Sequence, residues 1–160
     1  MCSPTVKTAS MTTIYLITPE HLPHIASIEQ DVFPDAWGYD VLSQCHNNPP
    51  YRMLAALDGG TVVGYLIALL IGDEAELLRI AVLPEYRKRG TGSALLEGLL
   101  RLCAEASVSR VTLEVRAKNP AVEFYLRRGF KEFAVRREYY SNPADDAVLM
   151  EKIIIQKGVH

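Results

Sequence analysis

Apolar positions along this chain recur with two periods, and each change of period marks an element. Residues 51–57 and 61–71 are apolar runs of strand length. Asp58-Gly59-Gly60 separates them and predicts a hairpin, because its turn needs a positive φ that glycine supplies without steric cost. Residues 14–17, 74–82, 110–116, 130–140 and 147–155 read as further strands. Leu22, Ile25 and Ile28 share one helix face, preceded by Thr18-Pro19 as an N-cap and first-turn proline. Residues 31–38, with Pro34 and Gly38, end that helix. A second short helix covers 39–46, and Asn47-Asn48-Pro49-Pro50 forms a turn. Within 93–106, Leu95, Leu96, Leu99, Leu100 and Cys103 make one apolar stripe, while Glu97, Arg101 and Glu105 stand at i,i+4 spacing. Residues 119–128 form a last helix with Gly129 as its C′ residue.

The order is strand, two helices, three strands, helix, strand, helix, two strands. That is an α/β fold with a mixed central sheet of about seven strands and about four helices, and the strands flanking residues 93–106 should be parallel with a right-handed crossover. The chain shows no repeat, linker or low-complexity segment. Residues 11–156 read as a single domain, between a disordered tail at 1–10 and a short tail at 157–160.

Composition narrows the function classes. The chain has 160 residues, 49% of them hydrophobic, which is one domain with a substantial core. A net charge of −2 argues against general nucleic-acid binding, since the cations are local, at 87–89 and 127–137. The longest apolar run, residues 62–71, contains Gly64 and is too short to span a membrane, so no membrane partner is expected. Cys2, Cys45 and Cys103 lack metal-ligand spacing and read as reduced thiols of a cytoplasmic protein. His21, His24, His46 and His160 form no ligand pattern, so no metal is expected.

The densest chemistry runs from Ile80-Ala81-Val82 through Pro84 and Arg87-Lys88-Arg89-Gly90-Thr91-Gly92-Ser93 into the Ala/Leu-rich helix. An apolar strand ends at a proline, and then three cations and two glycines precede a helix start. Glycines admit a ligand close to backbone N–H groups, and the helix start adds partial positive charge, so this order builds a diphosphate site. It is not a P-loop, for Gly-Lys-Ser/Thr is absent. Nor is it a dinucleotide fingerprint, which needs a third glycine where Leu95 stands. An ordinary strand–loop–helix joint with a solvated basic turn remains the plain alternative.

The run Arg87-Lys88-Arg89-Gly90-Thr91-Gly92 resembles the Arg/Gln-x-x-Gly-x-Gly/Ala element of the GNAT acetyltransferases. Leu113-Glu114-Val115-Arg116-Ala117-Lys118-Asn119 and Phe124-Tyr125-Leu126-Arg127-Arg128-Gly129-Phe130 extend the resemblance over nearly the whole chain. It is most similar to the RimI branch through Ile28-Glu29-Gln30 before Phe33 and Trp37, and through Arg136-Arg137-Glu138-Tyr139-Tyr140 followed by Asp146-Ala147 and Met150. The resemblance implies the GNAT fold, acetyl-CoA as co-substrate, and acetylation of an N-terminal alanine on a ribosomal protein. It implies cofactor contacts from Ile80, Ala81, Val82, residues 87–93 and Asn119. One departure is visible: six positions separate Asn119 from Tyr125 where the branch has seven, and Pro120 follows Asn119 directly.

Acetyl transfer needs a neutral amine and a proton for the departing thiolate. An α-amine near pKa 7.7–8.0 is about one-tenth neutral at pH 7, whereas a lysine near 10.4 is neutral about once in 2,500 molecules. On pattern, Glu114 is a solvated strand carboxylate or a partner of Arg116, which shares its face; the resemblance implies that it is the proton acceptor, with Glu76 in reserve. Tyr125 is either a helix tyrosine packed beside Phe124 or, as the resemblance implies, the acid that protonates the thiolate. Phe33, Trp37, Tyr139 and Tyr140 are expected to line a narrow slot for a peptide N-terminus, with sheet packing as the alternative for the two tyrosines. Acetylation of a lysine or small-molecule amine, or a non-catalytic acyl-CoA-binding module, are the competing readings.

Overall fold

The computed structural model describes residues 12–154, so the expected tails, Cys2 and His160 lie outside the described residues. Seven strands, β1 (Thr12–Leu16), β2 (Tyr51–Asp58), β3 (Thr61–Ile71), β4 (Glu74–Val82), β5 (Arg110–Arg116), β6 (Lys131–Ser141) and β7 (Ala144–Ile153), form one sheet in the order β1-β2-β3-β4-β5-β7-β6. The helices are α1 (Leu22–Val32), α2 (Tyr39–His46), α3 (Thr91–Glu105) and α4 (Ala121–Arg127). The expected mixed α/β architecture is therefore the observed one. β4 and β5, joined through α3, are the parallel pair; β1–β2, β5–β7 and β6–β7 are antiparallel. β7 enters between β5 and β6, so β6 becomes a sheet edge.

The chain gathers into two compact units. Among the described residues, one comprises 12–68 together with Arg79–Arg101; the other comprises Leu69–Leu78 and 102–154. In the first unit the β2–β3 hairpin turns on Gly59 and Gly60, at φ +58° and +87°, the pair of left-handed residues that a two-residue turn requires. Neighbouring β3 residues then face opposite sides of the sheet. Gly64 faces α3, where an added Cβ would come within 3.4 Å of Leu95, while Tyr65 points to the other side and bonds Glu29 of α1. Ile25, Leu42, Ile67, Leu95 and Leu99 have no exposed surface in this core.

One local feature differs from the sequence reading. Thr18 does begin a helical turn, but a 3₁₀ one over Pro19–His21, and its N–H donates to His21 Nδ1 at 3.0 Å. His21 thus has a capping partner, and His46 Nε2 lies 3.1 Å from the Ile17 carbonyl. In the second unit, α4 ends on Gly129 at φ +91°, as expected of a C′ glycine. Phe130 N–H donates to Tyr125 O at 3.1 Å and Gly129 N–H to Leu126 O at 3.2 Å, the paired bonds of a Schellman motif.

Gly64 leaves the tightest room in the first unit: a Cβ there would lie 2.9 Å from the Ala81 carbonyl oxygen. Gly64→Ala should therefore lower the unfolding free energy by about 1–3 kcal/mol, read from urea melts.

Candidate active site

In the first unit the end of β4 leads directly into the basic loop. Strand pairing with β5 runs from Glu74↔Arg110 to Leu77↔Leu113, and β4 continues beyond it through Ile80 and Ala81 to Val82. The Val82 carbonyl accepts from Arg87 Nε at 2.9 Å, which pins the loop back onto the strand. Arg89 lies over the Tyr86 ring at 5.0 Å, and a hydrogen bond to Asp58 keeps the Tyr86 phenol protonated to higher pH than usual. Two of the three loop cations are thereby held in place, while Lys88 is exposed.

The backbone here turns sharply into α3. Lys88 and Gly90 both take left-handed φ, +62° and +85°, and Ala94 N–H closes the first α3 turn on Gly90 O at 2.9 Å. The leading N–H groups of a helix have no intrahelical acceptors. Nothing lies within 4 Å of where a Gly90 Cβ would be. Thr91 is buried, yet its Oγ1 has no hydrogen-bond partner. An orphaned hydroxyl, an open glycine face and a 15-residue helix's N-terminus fit a diphosphate-bearing ligand.

The same unit holds Phe33 and Trp37, through a cluster that the sequence reading missed. Glu29 is fully buried and its carboxylate accepts three donors: Tyr65 Oη, Trp37 N–H at 2.8 Å and Arg79 Nη2 at 3.0 Å. Arg79 also donates to Asp35 O at 2.8 Å, and its guanidinium lies over both the Phe33 ring (4.3 Å) and the Trp37 ring (4.6 Å). Burial, reinforced by the Glu29 carboxylate, pushes the Tyr65 phenol far above its ordinary pKa, so Tyr65 stays a donor. Two signals were present in the sequence: a carboxylate four residues after Ile25 on an otherwise apolar face, and a cation inside the apolar run of β4.

The second unit gathers Glu114, Tyr139 and Tyr140. Glu114 projects from β5 between buried Leu113 and Val115, its side chain 30% exposed. Its partner is Arg136 of β6, with Nη1 3.4 Å from Oε2, and not Arg116. Arg116 instead donates to Pro143 O at 2.7 Å and lies over the Tyr140 ring at 4.1 Å. Tyr139 and Tyr140 meet edge to face at 5.1 Å. Burial, then the nearby Glu114 charge, raise the Tyr140 pKa. Glu76 is exposed, on the rung opposite Thr112.

Tyr125 lies in an aromatic nest of the same unit, 5% exposed, edge to face with Phe124 and Phe130. Its contact with Phe130 is the apolar clasp of the Schellman motif, which gives the Tyr-x-x-x-Gly-Phe spacing a structural cause. Burial raises its pKa, so the phenol holds its proton throughout the neutral range. Asn119 lies in the turn before α4, where its Oδ1 accepts Ala121 N–H at 2.8 Å.

Among the described residues no His, Cys, Asp or Glu cluster could hold a metal, and no helix is long and apolar enough to cross a membrane. Cys45 and Cys103 are buried. Residues 16–130 match the model of the acetyltransferase (GNAT) family. The chain belongs to the GNAT acetyltransferases. It is an acyltransferase of RimI type, and acetyl-CoA is its co-substrate. The ribosomal protein bS18-alanine N-acetyltransferase of Escherichia coli K12 is 33% identical over 143 residues, covering 88% of this chain and 96% of that enzyme. The crystal structure of the corresponding E. coli enzyme matches with a TM-score of 0.83 at 30% identity, over 94% of this chain and 99% of that one. Ard1 from Thermoplasma volcanium matches with a TM-score of 0.83 at 29% identity, over 91% and 99%.

Removing one member of a buried ion pair strands the other. Arg79→Met should lower the unfolding free energy by about 3–5 kcal/mol, and adding Glu29→Gln should restore part of it, as measured by thermal and urea unfolding.

Proposed function

We propose that this acetyltransferase acetylates the α-amine of an N-terminal alanine on a ribosomal protein in the cytoplasm. The observation that carries this reading is the likeness to the E. coli enzyme over nearly the whole of both chains. Acetyl-CoA brings an acetyl group activated as a thioester. The 87–93 loop holds its diphosphate: the N–H groups around Gly90 and Gly92, the Thr91 and Ser93 side chains and the loop cations all suit negative charge. Ile80, Ala81 and Val82 present the end of β4 to the amide-bearing arm, and Asn119, whose side-chain oxygen accepts Ala121 N–H, is assigned as a further cofactor contact.

Glu114 is the general base. Arg136 engages Oε2, which orients the carboxylate and leaves Oε1 to receive the proton of the amine. An α-amine suits such a base better than lysine, because about 2.5 fewer pKa units separate the two groups. Tyr125 is the acid on the leaving side. Burial secures its proton at neutral pH but makes release harder, so its transfer relies on a thiolate that is also cut off from water. We assign Phe33 and Trp37 of the first unit, and Tyr139 and Tyr140 of the second, as peptide contacts; the peptide enters as an extended chain end with a small first side chain.

Glu114→Gln should lower kcat on the order of 10²–10⁴-fold while calorimetric acetyl-CoA binding persists. Turnover unchanged between pH 6 and 9 would transfer the role to Glu76 or to water. A peptide beginning with alanine should be acetylated rapidly, whereas the same peptide with a blocked N-terminus and an internal lysine should react little. Mass spectrometry locating the acetyl group mainly on lysine would overturn the N-terminal reading and leave the acetyltransferase assignment intact.

A further inference from the structure

β6 does not run straight past β7. Arg136 pairs with Ala147 and Tyr140 with Asp145, so Arg137, Glu138 and Tyr139 together face Asp146 alone. In an unbroken ladder Glu138 would stand opposite Asp145. The bulge advances β6 by two residues, so Tyr140 takes that row and stays on the same face of the sheet. Glu138 takes φ +52°, a left-handed conformation that a residue with a Cβ rarely adopts unless its surroundings impose it.

What imposes it is a carboxylate. Glu138 N–H donates to Asp146 Oδ1 at 2.8 Å instead of to a β7 carbonyl. Asp146 is itself fixed from two further directions. Its carbonyl accepts Ala117 N–H at 3.0 Å, and its N–H donates to Asp145 Oδ1 at 2.7 Å. Asp145 Oδ2 in turn accepts Lys118 N–H at 3.0 Å. The start of β7 therefore ties the β6 bulge to the segment between Glu114 and Asn119.

We infer that Asp146 is a positioning residue that sets Tyr139 and Tyr140 for the peptide by locking the β6 bulge. This rests on the reading that the two tyrosines line the peptide's path. Asp146 touches no reacting atom. Its carboxylate replaces the ladder bond that Glu138 gives up, and the bulge then delivers Tyr140 to the row where Arg116 stacks on it. A charged acceptor for a lone N–H makes a stronger bond than a neutral one, which suits a bond that must hold a strained residue.

The test compares Asp146→Ala, Asp146→Asn, Glu138→Gly, Tyr139→Ala and Tyr140→Ala in the full chain, with an Ala-starting peptide and acetyl-CoA. Asp146→Ala should raise the peptide KM on the order of tenfold to a hundredfold, with kcat changed less and acetyl-CoA affinity preserved. Asp146→Asn keeps an oxygen for Glu138 N–H and should recover most of that loss. Glu138→Gly keeps the N–H and accepts positive φ freely, so it should behave as wild type. Hydrogen exchange should show the Glu138 amide protected in wild type and Asp146→Asn, and unprotected in Asp146→Ala. If the tyrosine variants raise the peptide KM and Asp146→Ala does not, the positioning role is wrong and the peptide path stands. If no variant moves the peptide KM, the path through the tyrosines is wrong and the inference falls with it. Equal losses of peptide binding, acetyl-CoA binding and melting temperature in Asp146→Ala would reduce Asp146 to a folding role and also overturn it.

Discussion

A carboxylate with no exposed surface must be neutralised where it lies, and Glu29 organises the first unit through that requirement. Water cannot reach it, so the chain supplies a phenol from β3, a guanidinium from β4 and a main-chain N–H from the loop after α1. Each donor lies far from Glu29 in sequence or in a different element. Satisfying one charge therefore fixes α1, two strands and the aromatic loop against one another. Apolar contacts alone would tolerate sliding, whereas three directional bonds on two oxygens do not. The rings of Phe33 and Trp37 then cover the guanidinium, so the groups read as peptide contacts are held by the same charge.

Much of this was legible in the sequence because it depends on short-range chemistry. Asp58-Gly59-Gly60 names its own turn, the stripe of Leu95, Leu99 and Cys103 names its own helix face, and Gly129 marks the end of α4. The loop from Arg87 to Gly92 could be read as an anion site because glycine and a helix start act within a few residues. Pairings across the fold could not be read this way. Nothing near Glu114 in sequence indicates Arg136, twenty-two residues away on β6, so Arg116 was the natural partner to expect. The Glu29–Tyr65–Arg79 cluster joins three elements, and only the tertiary fold brings its parts together. The bulge at Glu138 escaped for another reason: residues 137–139 carry no glycine to announce a left-handed residue.

Tyr125 illustrates how one residue can serve two levels of structure. Its carbonyl and ring close the α4 terminus, through Phe130 N–H and the Phe130 ring, while burial keeps its phenol protonated. The Schellman bonds fix the backbone that carries this phenol. At the other end of this short helix, the Asn119 side-chain oxygen accepts Ala121 N–H in the turn that leads into it.

The irregular path of β6 has a consequence for the life of the protein in solution. β6 is a sheet edge of 11 residues, nearly all exposed, with Phe133, Val135 and Tyr139 among its outward groups. A straight edge of that length and composition would offer a template for another chain's strand, the first step of aggregation. Its pairing is interrupted twice, once at Phe133 and again at 137–139, and charged residues flank both breaks. These breaks interrupt the regular spacing of ladder sites that a foreign strand would copy. The kink at Glu138 thus breaks the straight edge that an incoming strand would need.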